Sequence, residues 1–271
     1  MAEAGFFTSA SNNLAYCRTV PKGVRKDEGI LFVHAGGGNK LGPHRMFVEF
    51  ARKFDELGYP TFRFDLAGCG DSVGRATDGD GAAEIGDVTA AVDFFIEKAG
   101  VQKVILFGIS RGAWICFSAM RGELPVAGAV LLSAPVSSGK AAAKALSHRA
   151  KEYLHKLRDP RSLGRLLGGK VDFRQVGRTL GHAMKSGQRC VSPAVVSMKS
   201  KCPVLFVYGG NDPILRESMS YYSGRCAENG VACDCRVIEN ANHSFFHYKW
   251  KEQVFGITQD WLSSAIGTYR K

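Results

Sequence analysis

One five-residue segment, Gly108–Gly112, constrains the fold of this chain more than any other. It reads G-I-S-R-G, follows the apolar run 104–107 and precedes a stretch rich in Ala, Trp, Ile and Phe, which predicts a sharp turn between a buried strand and a helix. A serine at such a turn adopts strained backbone angles, and glycine on both sides removes the Cβ atoms that would clash. The segment therefore predicts that the Ser110 hydroxyl lies exposed above a sheet edge as a nucleophile.

Apolar runs and amphipathic stretches alternate along the rest of the chain, after one or two short N-terminal strands near 6–8 and 14–20. Strands are predicted at 29–33, 61–64, 103–107, 127–133, 204–207 and 233–238, and helices at 46–57, 86–99, 111–121, 215–228 and 250–265. This alternation predicts an α/β fold, a mostly parallel central sheet with helices on both faces. The loops that follow the strands then meet at one sheet edge, where active sites of such sheets form.

Two further polar residues follow predicted strands and complete a catalytic arrangement with Ser110. Asp212 lies in the turn after strand 204–207, and His243 lies in the loop after strand 233–238. A serine hydroxyl needs a base to take its proton, and the base needs a carboxylate to hold its tautomer. We therefore predict a Ser110–His243–Asp212 triad. His247 is the local competitor for the base, and Asp65 and Asp71 compete for the acid.

The glycine-rich loop after strand 29–33, His-Ala-Gly-Gly-Gly at 34–38, is suited to stabilising an oxyanion through backbone amides. We expect the amides of Arg111 and Gly36 to be the donors, with Ala35 and Gly37 as alternatives for the second. We also predict that Ala35, Gly37 and His44 bind substrate. His44 and Arg45 either shape the substrate entrance or cap the following helix, whereas His34 is expected to brace the loop rather than act as a base.

Three segments together resemble the α/β-hydrolase superfamily of serine hydrolases: the 34–38 loop, the turn Asp65–Ser72 and the Gly108–Gly112 elbow with its downstream Asp and His. The resemblance covers nearly the full length, although Ala67 stands where the family's turn usually has arginine, and Ala35 where the glycine-rich loop more often begins His-Gly. Segment 42–47 is also similar to bacterial hydrolases encoded beside exosortase systems. The resemblance implies an α/β-hydrolase fold and an esterase-like or serine-aminopeptidase-like activity.

Segment 135–201 holds 15 of the 36 Lys and Arg residues against three acidic residues, whereas the whole chain has a net charge of +11. We predict a core domain of 1–134 and 202–271 with a basic helical lid at 135–201. The lid's charges either form a solvated helix face or attract an anionic substrate, an acidic carrier or a membrane surface. Few aromatic residues accompany them, which disfavours nucleic-acid binding.

The predicted function is hydrolysis of a small-molecule carboxylic ester or thioester through an acyl-enzyme. The alternatives are acyl transfer or thioester cleavage on a carrier-bound acyl group, and a non-catalytic receptor on a hydrolase scaffold. The eight cysteines include no C-x-x-C pair and match no zinc signature, so we predict no metal site and no cofactor. No apolar run is long enough to span a bilayer and no secretion signal is recognisable, which predicts a cytoplasmic protein without stable membrane insertion.

Overall fold

A computed structural model describes residues 2–34, 37–74, 81–136 and 197–266. All of these residues fall in one of the two units into which the chain divides, that of residues 1–136 and 193–271, and the other unit, residues 137–192, is not among the described residues. The predicted lid, 135–201, therefore falls almost entirely outside the described residues. The lid and the domain boundaries drawn around it stay predictions.

Eight strands form one sheet in the order β1-β2-β4-β3-β5-β6-β7-β8. The first two neighbouring pairs in this order, β1–β2 and β2–β4, are antiparallel, and all later pairs are parallel. The strands are β1 (Ala2–Ser9), β2 (Asn12–Thr19), β3 (Glu28–Val33), β4 (Thr61–Phe64), β5 (Lys103–Ile109), β6 (Val126–Leu132), β7 (Val204–Gly209) and β8 (Cys233–Ile238). The predicted mostly parallel sheet is confirmed, and β1 with β2 forms an N-terminal hairpin at one edge.

Five α-helices cover this sheet in the described part of the chain. They are α1 (Met46–Glu56), α2 (Gly81–Ala99), α3 (Arg111–Ala119), α4 (Leu215–Glu228) and α5 (Tyr248–Trp261), with a short 3-10 helix at Pro43–Arg45 and a π-helix at Leu262–Ile266. Apolar residues of α1 and α5 pack on one face of the sheet, and those of α2, α3 and α4 pack on the other. The central strands are buried between the two layers, which explains why their sequences are continuously apolar rather than alternating.

Helix α2 begins at Gly81, before the predicted start at 86. Its first turns carry two buried carboxylates, Glu84 and Asp87, which are 5% and 4% exposed. Carboxylates at buried positions interrupt the apolar periodicity that identifies a helix in a sequence, so the prediction began too late. Both carboxylates have partners near the functional site, described below.

The two glycines of the elbow lie where larger residues do not fit. A Cβ on Gly108 would meet the Gly112 carbonyl oxygen at 2.6 Å, and a Cβ on Gly112 would meet the His34 carbonyl oxygen at 2.6 Å and overlap that of Val33. These obstacles are backbone atoms, which cannot rotate away as a side chain can. The close approach fixes α3 directly against the end of β3.

We expect Gly112→Ala to lower the free energy of unfolding by about 1–3 kcal/mol, because β3 and α3 must separate to admit the methyl group. Gly224→Ala is the matched control, since Gly224 is an exposed residue within α4 whose Cβ would meet nothing within 4 Å. There the substitution should stabilise by about 0.5–1 kcal/mol through helix propensity. Urea unfolding of both variants measures the two changes in the free energy of unfolding. Equal changes would contradict the conclusion that position 112 has no room for a Cβ.

Candidate functional site

Ser110 occupies the strained position that the elbow sequence predicts. Its backbone lies at φ 54° and ψ −124°, in the positive-φ region that L-residues rarely adopt. Its amide donates to the Leu132 carbonyl at 2.8 Å, and its carbonyl accepts from the Ala113 amide at 2.9 Å. The turn is therefore tied to β6 on one side and to the first turn of α3 on the other, and these bonds hold the side chain at the carboxyl edge of the sheet.

His243 and Asp212 lie beside Ser110, although they follow it by 133 and 102 positions in the sequence. The Ser110 Oγ is 2.9 Å from His243 Nε2, and His243 Nδ1 is 2.8 Å from Asp212 Oδ2. The Asp212 side chain is fully buried, whereas that of His243 is 24% exposed. The second carboxylate oxygen of Asp212 accepts from the Ile214 amide at 3.3 Å, which fixes its orientation. The structure thus brings the three predicted residues into one hydrogen-bonded chain.

Backbone contacts between the loop after β7 and the loop after β8 position Asp212 and His243 relative to each other. The Asn211 amide donates to the Ala241 carbonyl at 2.9 Å, and the Gly210 amide donates to the Ile238 carbonyl at 2.8 Å. A Cβ on Gly209 would come within 2.7 Å of the Ala241 carbonyl carbon, so glycine is needed for this approach. The loop after β7 and the loop after β8 are therefore fastened together, and the distance between Asp212 and His243 follows from that connection.

The predicted oxyanion donors are only partly within the described residues. Arg111 begins α3 directly after Ser110, and the first-turn amides of a helix have no partner within the helix. The role of the Arg111 amide as a donor stays a prediction. Ala35 and Gly36 lie outside the described residues, so their predicted roles stay predictions. Gly37 adopts φ 71°, a conformation that favours glycine. The substrate-binding roles of Gly37 and His44 also stay predictions, and His44 itself is exposed on the 3-10 helix.

The side chain of Arg111 is held by Glu84 of α2, which the sequence analysis did not single out. The Arg111 Nε lies 3.0 Å from both Glu84 carboxylate oxygens, and one terminal nitrogen lies 2.5 Å from Oε2. The guanidinium also lies 5.0 Å from the Trp114 ring centroid. The two side chains are 18% and 7% exposed, so the pair is largely removed from water. It anchors the residue after Ser110 to α2.

The Asp65–Ser72 turn is a structural network separate from the Ser110 chain. The buried Asp65 carboxylate accepts from the Lys40 ammonium at 2.6 Å and from the Asp71 amide at 2.9 Å. Burial opposes the charge on Lys40, but its hydrogen bonds to Asp65 and Asp71 outweigh this and raise its pKa. Asp65 and Asp71 are thus engaged with Lys40 in ion pairs, and His243 instead pairs with Asp212.

The other candidate histidines have structural contacts. His34 is buried, and its Nε2 accepts a 3.0 Å hydrogen bond from the Leu66 amide, which ties the end of β3 to the turn after β4. His247 precedes α5, and its Nδ1 accepts from the Lys249 amide at 3.3 Å as an N-cap. The bracing contact expected of His34 is therefore observed, and His247 caps a helix.

Three cysteine side chains, those of Cys116, Cys202 and Cys226, are poorly suited to act as nucleophiles. Burial raises the pKa of Cys202 to about 12 and that of Cys116 still further. Burial and neighbouring thiols likewise raise the pKa of Cys226. Thiolates are the reactive form, so these cysteines stay protonated near neutral pH. Over residues 2–34, 37–74, 81–136 and 197–266, no group of three or more His, Cys, Asp or Glu is arranged to hold a metal ion.

The family model of the alpha/beta hydrolase family matches residues 30–256, most of the 271-residue chain. The chain belongs to the α/β-hydrolase family. The match includes the elbow, the loops that carry Asp212 and His243, and the Asp65–Ser72 turn. The sequence order of Ser110, Asp212 and His243 is that expected for an α/β-hydrolase.

Curated relatives of this α/β-hydrolase match over a short region. The lysophosphatidylserine lipase ABHD12 of Gallus gallus is 30% identical over 92 residues, which is 34% of this chain and 23% of that protein. Its counterpart in Mus musculus is also 30% identical over 92 residues, or 22% of its length. The match thus spans less than a quarter of each of these two relatives.

Solved structures with the same fold match over nearly the whole chain. The esterase Pf2001 of Pyrococcus furiosus has a TM-score of 0.73 at 17% identity and covers 98% of this chain and 92% of its own. Est1E of Butyrivibrio proteoclasticus, solved with ferulic acid bound, has a TM-score of 0.66 at 18% identity, covering 97% and 100%. At such identities the likeness establishes the fold. Within the described part of this α/β-hydrolase, no helix is long and apolar enough to cross a membrane.

We expect Glu84→Gln to lower the free energy of unfolding by about 1–3 kcal/mol, because it leaves the Arg111 charge with a neutral partner in a largely buried place. Glu228→Gln is the matched control: Glu228 pairs with Arg225 at 2.8 Å on the surface of α4, where both side chains are more exposed. That change should lower the free energy of unfolding much less, because water screens an exposed ion pair. Thermal and urea unfolding of both variants gives the comparison. A Glu84 variant as stable as the control would show that the pair adds nothing.

Proposed function

We propose that this protein hydrolyses a carboxylic ester or thioester of a small molecule, with Ser110 as nucleophile, His243 as general base and acid, and Asp212 as the residue that orients His243. The observation that carries the proposal is the hydrogen-bonded chain from Ser110 Oγ through the His243 ring to Asp212, with distances of 2.9 and 2.8 Å. The strain at Ser110 supports it, because strained backbone is found preferentially at functional sites.

The first half of the reaction forms an acyl-enzyme. The Ser110 Oγ attacks the substrate's carbonyl carbon while His243 Nε2 takes the hydroxyl proton. The buried Asp212 carboxylate stabilises the resulting imidazolium through Nδ1. Negative charge develops on the carbonyl oxygen, and the Arg111 amide at the start of α3 is the expected first donor to it. A second amide from the glycine-rich loop, with Gly36 as the expected donor, completes the oxyanion site.

The second half returns the enzyme to its starting state. The proton on His243 Nε2 passes to the departing alkoxide or thiolate as the tetrahedral intermediate collapses. A water molecule then gives its proton to His243 and attacks the acyl carbon, and the acid product leaves as Ser110 recovers its proton. The name of the ABHD12 relatives, lysophosphatidylserine lipase, favours including monoacyl lipid esters among the substrates tested.

The decisive experiment is labelling with a fluorophosphonate, which reacts covalently with an activated serine. We expect the wild-type protein to be labelled and Ser110→Ala to be unlabelled, with hydrolysis of nitrophenyl esters reduced by at least about 10³-fold. Ser133→Ala is the control, because Ser133 is a buried serine that also has positive φ but follows β6. Absence of labelling in the wild type would overturn the proposal. A series of acyl chain lengths would then define the acyl group preferred.

We expect Asp212→Asn to reduce kcat by about 10³–10⁴-fold, because an amide in this place favours the wrong imidazole tautomer and does not stabilise the imidazolium. KM should change little, since Asp212 is buried behind His243. Asp71→Asn is the control: Asp71 is a mainly exposed carboxylate whose ion pair is with Lys40. Steady-state kinetics on one nitrophenyl ester compares the two. A loss of activity in the Asp71 variant as large as that in the Asp212 variant would count against the assignment of the acid.

A further inference from the structure

An exposed aromatic cluster lies beside the loop that carries His243. We call it the aromatic rim and define it as His44, Phe246, His247, Tyr248 and Trp250. The Phe246 ring centroid is 6.1 Å from that of His44 and 5.2 Å from that of Trp250. The His247 ring is 4.9 Å from Tyr248 and 5.5 Å from Trp250. Two chain segments, one after β3 and one after β8, therefore contribute to one continuous patch at the sheet edge where Ser110 lies.

The aromatic rim exposes large rings to solvent. Phe246 is 51% exposed and Tyr248 is 63% exposed. Single exposed apolar residues are ordinary on protein surfaces, whereas a contiguous exposed apolar patch is typical of a site that contacts a protein, a membrane or a ligand. The rings of Tyr, Trp and His also carry polar groups, a combination typical of residues that lie at a membrane–water interface.

The base of the aromatic rim is firmly held. Phe245, immediately before Phe246, is fully buried and has φ 49°. Lys251 is also buried, forms an ion pair with Glu49, and lies 3.5 Å from the His44 carbonyl oxygen. These contacts connect the 3-10 helix and α1 to α5. The rings are therefore presented on a preformed support and do not depend on a flexible loop.

Basic residues surround the aromatic rim. The stretches 44–53 and 246–252 contain five Lys and Arg residues against two Glu residues. Both glutamates are in ion pairs, Glu49 with Lys251 and Glu252 with Lys53. Arg45 and Lys249 are exposed within the same two stretches. The local field is consequently positive, which favours an anionic partner and disfavours a second copy of this basic chain.

We propose that the aromatic rim docks the protein on the surface of an anionic lipid bilayer. Phe246, Tyr248 and Trp250 would enter the interfacial layer, and Arg45 and Lys249 would contact the lipid headgroups. Docking in this way orients the sheet edge that carries Ser110 towards the bilayer. The inference concerns binding and does not rest on the proposed hydrolysis, so each can fail without the other.

The test measures binding to large vesicles by co-sedimentation, with Ser110→Ala as the background so that hydrolysis cannot alter the lipids. Vesicles of phosphatidylcholine alone are compared with vesicles of 70% phosphatidylcholine and 30% phosphatidylglycerol. We expect binding to the anionic vesicles that weakens with salt. The double substitution Phe246→Ser and Tyr248→Ser should reduce the partition coefficient at least about tenfold, through loss of buried apolar area.

Two matched variants separate the contributions. Arg45→Gln with Lys249→Gln should weaken binding to the anionic vesicles by about fivefold for each charge removed. Phe6→Ser is the control for an exposed ring elsewhere, since Phe6 is 60% exposed on β1, and it should leave binding unchanged. Binding that persists in the aromatic double variant would place the contact on another surface and overturn the proposal. Light scattering without lipid tests self-association. If the wild-type protein is a dimer and the aromatic double variant is a monomer, the rim is a dimer interface and the proposal is overturned.

Quenching of tryptophan fluorescence by brominated lipid gives a second readout, which does not depend on the substitutions of Phe246 and Tyr248. Trp114 and Trp261 are each 5% exposed, whereas Trp250 is only partly buried and belongs to the rim. We expect brominated anionic vesicles to quench the emission, and Trp250→Phe to abolish most of the quenching. Quenching that is absent from the protein with intact Trp250, or that is unchanged in Trp250→Phe, would contradict docking through the rim.

Discussion

The strained turn at Ser110 is the constraint on which the rest of the site depends. It requires α3 to start directly against the end of β3, which only glycine at 112 allows because the carbonyls of Val33 and His34 occupy the space of a Cβ. The strain persists because the Ser110 amide is bound to Leu132 and α3 is buried along nearly its whole length. Three neighbouring strands, β3, β5 and β6, therefore fix the position of one hydroxyl.

A second set of backbone contacts, independent of the turn at Ser110, positions Asp212 and His243. Asp212 and His243 follow β7 and β8, adjacent parallel strands whose loops are joined by two backbone hydrogen bonds. The Ser110 side chain contributes nothing to these contacts. The imidazole consequently has a fixed acceptor on its Nδ1 side before any substrate binds. In the proposed reaction this lowers the reorganisation needed when charge develops on the ring.

The sequence alone allowed us to predict which residues meet at the site where those residues directly follow strands. Ser110, Asp212 and His243 were identifiable because each follows an apolar run, and parallel strands bring such positions to one edge. Glu84 was not identifiable, because its partner Arg111 lies 27 positions away and its burial interrupts the apolar pattern of α2. The contacts of Lys40 with the Asp65–Ser72 turn were missed for the same reason: an ion pair between distant residues leaves no periodic signal. The lid at 135–201 and the amides of Ala35 and Gly36 remain predictions from sequence.

Helix α2 shows how charge at a distance from the reacting atoms can support the site. Asp87 accepts from the Ser9 hydroxyl at 2.7 Å and from the Ala67 amide at 3.0 Å, whereas Glu84, one turn earlier, binds Arg111. One short helical stretch therefore connects β1, the turn after β4 and the residue that follows Ser110. Buried carboxylates with such partners are costly to desolvate and cannot be exchanged singly for apolar residues without orphaning a donor. Their main contribution is therefore positional: they hold the end of β1, the turn after β4 and the start of α3 in fixed positions relative to α2.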